Sequence, residues 1–199
     1  MVMSGKTDPQ IVTEILTAAG IPKEEIAGLL PLALSEAELT LAHSEESIKR
    51  EGHLHPGVRK LLAALAETGS VRQTLVTGNI AANAALKVGA FGLEDHLDFE
   101  VGAYGSDNPD RDCLVPISLN RVSGLRGEVY LVGRVWVIGD TSNDLKCARA
   151  AGVRCLLVGT GRRGFVSVRD LGADAQLENL ADTVSVFDAL FHGSMPTPT

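Results

Sequence analysis

The sequence predicts an α/β protein, a Rossmann-like three-layer parallel sheet preceded by a helical region. Three observations carry that expectation. From His55 onward, short apolar runs alternate with helical segments, the pattern of parallel βαβ units. The first fifty or so residues are helical in pattern and contain no good strand. The run RVWVIGD ends in Gly139-Asp140, with a second acid at Asp144, where parallel sheets bind ligands, outside their carboxyl ends.

The elements follow in order. Thr7 or Asp8 is suited to cap a helix, with Pro9 in its first turn and Gly20 at its end. The next segment, residues 22–52, is helical with a kink expected at Pro31. PGVRKLLAALAETG (56–69) is a helix ending at Gly69, QTLVTGN (73–79) a strand and turn, and IAANAALKVGA (80–90) a helix. DFEVGAYG (98–105) reads as a strand and RDCLVPISLNRVSG (111–124) as a helix. RVWVIGD (134–140) is a strand, DLKCARAAG (144–152) a helix and RCLLVGTG (154–161) a strand. Residues 173–191 add a short strand and a final helix. The expected division is a helical unit over 1–52, an α/β core over 53–191 and a flexible tail over 192–199.

Composition narrows the function. A net charge of -7 and only 4% aromatic residues argue against a nucleic-acid partner, because a phosphate backbone is repelled and bases find few stacking surfaces. Cys113, Cys147 and Cys155 show no CxxC spacing and are odd in number, so a disulfide framework is not expected and a reducing compartment fits. No apolar run is long enough to span a bilayer and the N-terminus has no signal-peptide core. A cytoplasmic protein without a membrane partner is expected. The oligomeric state stays open.

The candidate chemistry lies in three places. Asp140 and Asp144 offer hard oxygen ligands that suit Mg²⁺; helix capping by Thr141, Ser142 or Asp144 explains part of the same pattern. Thr77-Gly78-Asn79 follows a strand and precedes a helix, where a hydroxyl and backbone N–H groups suit a phosphoryl oxygen, or an ordinary turn. Arg111 opens the helix before the Asp140 strand and offers a cation, or a solvated surface charge among Asp107, Asp110 and Asp112. Gly159 to Gly164 matches GxGxxG after a strand. Too little chain follows for a dinucleotide domain, so it reads as a flexible loop near the site mouth. The histidines show no metal spacing beyond His53 and His55, and no GxSxG is present.

Thr77-Gly78-Asn79 after a strand, a basic residue before the next-but-one strand, and GDTSND at 139–144 resemble motifs two, three and four of the haloacid dehalogenase superfamily. The likeness is to its phosphatases of the phosphoglycolate-phosphatase type, and SGKTDPQI, LHPGVRKLLAAL, CARAAGVRCLLVGTG and GADAQLENLAD fit it too. The resemblance implies a Mg²⁺-dependent phosphatase of a small phosphorylated metabolite. Asp140 would be a metal ligand, Asp144 a supporter of the metal site, Thr77 a phosphoryl-binding group and Arg111 a stabiliser of its charge. The helices over residues 5–52 would form a cap. The family nucleophile belongs to a DxDx[TV] motif after a strand. The one DxD here, Asp110-Arg111-Asp112, sits in a polar loop. The expectation is therefore a chain that starts inside the cap and turns over little substrate, through a misplaced start, a truncated gene or deliberate shortening. The strand missing on that reading would lie between the Thr77 and Asp140 strands, leaving them unpaired or paired with each other. A binding or regulatory protein without chemistry, and a dehalogenase acting on carbon, are the alternatives.

Overall fold

A computed structural model describes residues 3, 5–161 and 164–192. Residues 193–199 of the expected tail, and Arg162 and Arg163 of the glycine-rich loop, lie outside the described residues. Three helices come first: α1 (Asp8–Ala18), α2 (Lys23–Ala42) and α3 (Glu45–Glu51). The core follows as α4 (Val58–Glu67), β1 (Val76–Thr77), α5 (Ala81–Gly89), β2 (Ala103–Tyr104), α6 (Leu114–Arg126), β3 (Trp136–Gly139), α7 (Ser142–Ala150), β4 (Arg154–Val158), β5 (Ala175–Leu177) and α8 (Thr183–Phe187). Strands and helices alternate and every strand pair is parallel, as the sequence implied.

β4 organises the core. Its five residues, RCLLV, are all buried. Because side chains alternate along a strand, Cys155 and Leu157 face one layer and Leu156 and Val158 the other. The first pair packs with Val115 of α6 and with Cys147 and Ala148 of α7. The second packs with Leu61 and Leu65 of α4, Leu180 and Val186. Helices on both faces of a parallel sheet make the three layers expected. The three cysteines are free, and burial pushes the Cys155 thiol up to about 12.

The sheet is not continuous. β1 pairs with β2, and β3, β4 and β5 form a separate sheet in that order. β1 and β3, the strands that lead into Thr77 and Asp140, do not pair with each other. Both halves nevertheless rest on one apolar cluster, since Val76 of β1 and Val137 of β3 pack against the same buried residues. On β3, Ile138 is 39% exposed, unusual for an apolar side chain in the middle of a parallel strand.

Two expectations need correction. DFEVGAYG is not one strand: Phe99–Val101 forms a 3₁₀ turn and only Ala103–Tyr104 is extended in a sheet. The reason is side-chain anchoring. Asp98 is gripped by Arg72 and Arg126, and its carbonyl accepts from Thr74 Oγ1, so the chain is fixed before a ladder starts. QTLVTGN yields only Val76–Thr77, matching the two-residue length of its partner. α2 runs unbroken through Pro31; the cost of a lost hydrogen bond there is carried by the helix-favouring residues on both sides.

The helices α1 and α2 pack together, and α2 and α3 both reach α5. Thr7 caps α1 as expected, accepting from Gln10 N at 3.2 Å. The linker after α3 is pinned at Gly57, whose φ of +88° and whose contact with the Leu180 backbone leave no room for a Cβ. Among the described residues no helix is long and apolar enough to cross a membrane.

Two outcomes follow. Truncating Leu156 to alanine should lower unfolding free energy by about 2–5 kcal/mol, read from urea midpoints at constant slope. The second concerns Glu128, which Arg72 and then Tyr130 hold down from 4.5 to about 2. A carboxyl depressed in the folded state stabilises above its unfolded pKa, and that contribution is lost as pH falls through the folded value. Stability should therefore decline between pH 4.5 and about 2, and Glu128→Gln should make that decline shallower in a pH series of thermal melts.

Candidate active site

The carboxyl ends of β1, β3 and β4 carry the candidate residues. Asp140 directly follows β3, and Asp144 sits in the first turn of α7. The Asp144 side chain is only 8% exposed and is engaged at both oxygens. Its Oδ1 accepts from Arg111 Nη2 at 2.5 Å. Its Oδ2 accepts from Asp140 N at 3.2 Å, Thr141 N at 3.0 Å and Thr141 Oγ1 at 2.7 Å. Thr141 and Asp144 thus form a capping box, two orphan helix donors being satisfied reciprocally. The capping alternative holds for Asp144, and the arginine contact comes in addition to it.

Arg111 opens a 3₁₀ turn, Arg111–Cys113, that leads into α6. It is not a solvated surface charge: its side chain is 17% exposed and paired with Asp144. Its carbonyl accepts from Cys147 Sγ at 3.1 Å, tying the turn to α7. The Nε of Arg111 is buried and has no hydrogen-bond partner among the described residues. A buried donor left unpaired costs about 1–3 kcal/mol, so this atom marks where an acceptor is wanted.

Asp140 is half-buried and lies beside Gly161 in the loop after β4. Burial, and then the neighbouring Asp144, push its carboxyl above the ordinary range, while His55 and Arg111 oppose the rise. Mg²⁺ takes about six oxygen ligands and usually one or two carboxylates. Asp144 is already saturated by donors, which leaves Asp140 as the candidate ligand. Among the described residues no group of three or more His, Cys, Asp or Glu side chains comes together as a metal site. The residues present do not make a magnesium site by themselves.

Thr77, Gly78 and Asn79 form a second group. Thr77 Oγ1 accepts from Asn79 N at 3.2 Å and Asn79 Nδ2 at 2.9 Å. The backbone donors expected to meet a phosphoryl oxygen are largely engaged. Besides Asn79 N, Ile80 N donates to Asp8 Oδ2 and Ala81 N to Ser106 Oγ. The Thr77 hydroxyl, rather than a row of amides, is the group offered there.

Residues 5–8 join the two groups, which sequence reading did not anticipate. Asp8 N donates to Gly78 O at 2.7 Å. Thr7, fully buried, donates from Oγ1 to Pro109 O at 2.7 Å. The Lys6 carbonyl lies against Gly78 and Gly5 against Asn143, so closely that a Cβ at either glycine would collide. Arg111, Asp140 and Asp144 meet directly, whereas Thr77, Gly78 and Asn79 reach them through this strap. Of the two possible caps for α1, Thr7 serves, and the Asp8 carboxylate accepts from Ile80 N at the start of α5. No sequence signal pointed to that contact across 72 positions.

Known proteins are similar to this chain in sequence or in fold. The family model for haloacid dehalogenase-like hydrolase matches residues 3–158. The tyrosine-protein kinase PtkA of Mycobacterium tuberculosis is 30% identical over 145 residues, 71% of this chain and 48% of that protein. The phosphoglycolate phosphatase of Nitrosococcus oceani is 28% identical over 144 residues, 71% of this chain and 60% of its own. The phosphoglycolate phosphatase of Chromobacterium violaceum is 26% identical over 140 residues, 70% of this chain and 58% of its own. The chain thus matches about half to three-fifths of the length of these relatives. A solved haloacid dehalogenase-like protein of unknown function from Agrobacterium tumefaciens superimposes with a TM-score of 0.53 at 20% identity, covering 92% of this chain and 90% of that one; at that identity the likeness concerns the fold. Because that family model spans well over half of the sequence, the chain belongs to the haloacid dehalogenase-like hydrolases.

Proposed function

We propose that this chain carries the phosphate-handling part of a phosphatase acting on a small phosphorylated metabolite. The observation that supports it best is the buried Nε of Arg111, without an acceptor among the described residues, on a guanidinium paired with Asp144 at the start of α7. A phosphoryl oxygen is an acceptor of the right charge for that donor, and arginine contacts to phosphate are among the stronger hydrogen bonds. The relatives' names, phosphoglycolate phosphatase and tyrosine-protein kinase, both denote phosphoryl transfer. In this reading Thr77 donates to the phosphoryl group, Arg111 offsets its charge and Asp140 serves a metal site. α1 to α3 act as a cap over the crevice, where closure excludes water.

The reading has a chemical limit. An aspartyl nucleophile is needed for the family route, and no strand of this sequence runs into DxDx[TV]. Magnesium would likewise need ligands beyond Asp140, from the phosphoryl group, water and another carboxylate. On this reading the 199 residues hold groups suited to phosphate and no DxDx[TV] carboxylate to attack it. A binding or regulatory protein is the second reading. The Asp144 carboxylate, with both oxygens engaged by Arg111 and Thr141, favours it.

Two measurements test this. The 199-residue chain should hydrolyse p-nitrophenyl phosphate with Mg²⁺ near the uncatalysed rate. An ordinary enzymatic rate that Asp140→Asn abolishes would show the account of the nucleophile to be wrong. Arg111→Met should weaken binding of inorganic phosphate about tenfold or more; unchanged affinity would remove Arg111 from the site. The intact mass of the protein made in its native cells separates the two readings. A value near 21.0 kDa favours binding or regulation. A value larger by a few kilodaltons favours an enzyme with DxDx[TV] in the additional sequence.

A further inference from the structure

We infer that Lys87, on the second turn of α5, is a positioning residue that sets the Thr77 hydroxyl as a hydrogen-bond donor; the inference rests on reading Thr77 as a phosphoryl-binding group. Lys87 Nζ lies 2.5 Å from Asn79 Oδ1. An ammonium has donors and no acceptor, so the Asn79 amide must turn its oxygen towards Lys87. That choice fixes the other half of the amide. Its NH₂ faces Thr77 Oγ1 at 2.9 Å, and the Asn79 backbone N–H reaches the same oxygen at 3.2 Å.

Thr77 Oγ1 therefore receives two donors, which fills the acceptor capacity of a hydroxyl. Its own proton has to point away from Asn79. The described residues offer it no acceptor. The result is a half-buried hydroxyl at the carboxyl end of β1 with its proton held outward for an incoming oxygen. Without Lys87 the amide is free to flip. Its oxygen would then face Thr77, the hydroxyl would donate to Asn79, and the proton would be consumed inside the turn. A single exposed lysine eight residues further on thus decides whether the turn presents a donor or an acceptor. Nothing in the local pattern T-G-N distinguishes these two states, because both use the same residues.

The test is titration of inorganic phosphate into the full chain, followed by calorimetry. Lys87→Met, which removes the donor, should weaken binding about fivefold, the effect of one hydrogen bond of typical strength. Lys87→Arg keeps a donor-only cation and should stay within about twofold of the unaltered chain. Asn79→Asp should weaken binding at least as much as Lys87→Met with no fall in thermal midpoint. An aspartate keeps an ion-pair partner for Lys87 yet has no NH₂ to give Thr77. The ratio of Lys87→Met to unaltered affinities should persist at high salt, since a hydrogen-bond network is not screened as a distant charge is. A ratio that collapses to one in high salt would reduce Lys87 to a long-range charge and overturn the inference. So would unchanged affinity in Lys87→Met with binding abolished in Thr77→Val, an outcome that leaves the reading of the site intact. No phosphate binding by the unaltered chain would overturn that reading and this inference together.

Discussion

The Arg111–Asp144 ion pair is the constraint on which the site depends, because it crosses a break in the sheet. β1 and β3 share no ladder, so backbone hydrogen bonds cannot hold the two halves in register. The pair does so from the side. Arg111 belongs to the turn ahead of α6, which packs on the β1–β2 half, and Asp144 belongs to α7, which packs on β3 and β4. A buried ion pair is weak evidence of net stability, since desolvation offsets most of its Coulomb energy. Its value here is geometric. One carboxylate caps α7, fixes the turn after β3 and holds the guanidinium, so the three features cannot move independently.

The strap over residues 5–8 supplies the second coupling. It begins α1 and at the same time closes on Gly78, Pro109 and Asn143. Thr7 shows how completely this is enforced. Its hydroxyl accepts from Gln10 N and donates to Pro109 O, so a fully buried polar side chain is satisfied in both senses. Any rotation of α1 and α2 relative to the core must break these contacts or carry the turn after β1 with it. The helices α1 and α2 are therefore linked mechanically to the Thr77 turn.

What the sequence showed of this depended on the range of the interaction. RCLLV at 154–158 was legible as a buried strand because a fully covered parallel strand is apolar on both faces. The Thr141–Asp144 box was legible because its donor and acceptor lie within one helical turn. Asp140 after β3 and Thr77 at the end of β1 were legible as candidates from the rule that parallel strands present their carboxyl ends to ligands. The Phe99–Val101 turn was not legible, because partners at Arg72 and Arg126 fix Asp98 from outside the segment. Asp8 on Ile80 and Thr7 on Pro109 were invisible for the same reason. Lys87 was within eight residues of Asn79 and still escaped notice. Its spacing is that of any exposed lysine on a helix, and only the resolved direction of the amide gives it meaning.

The electrostatics of the crevice then follow from which charges are already spent. The chain carries a net charge of -7, so an anionic ligand meets an unfavourable overall field. The nearby cations are mostly committed: Lys6 to Glu14, Lys87 to Asn79, and Arg111 through Nη2 to Asp144. Among the described residues near Asp144, what remains is an oriented donor, Arg111 Nε, held in a buried position. A donor fixed in place before a ligand arrives needs little reorganisation, and in a dry crevice it acts more strongly than in water. Such an arrangement selects by direction rather than by attraction. On the proposed reading, the ligand it suits has several acceptor oxygens around one centre.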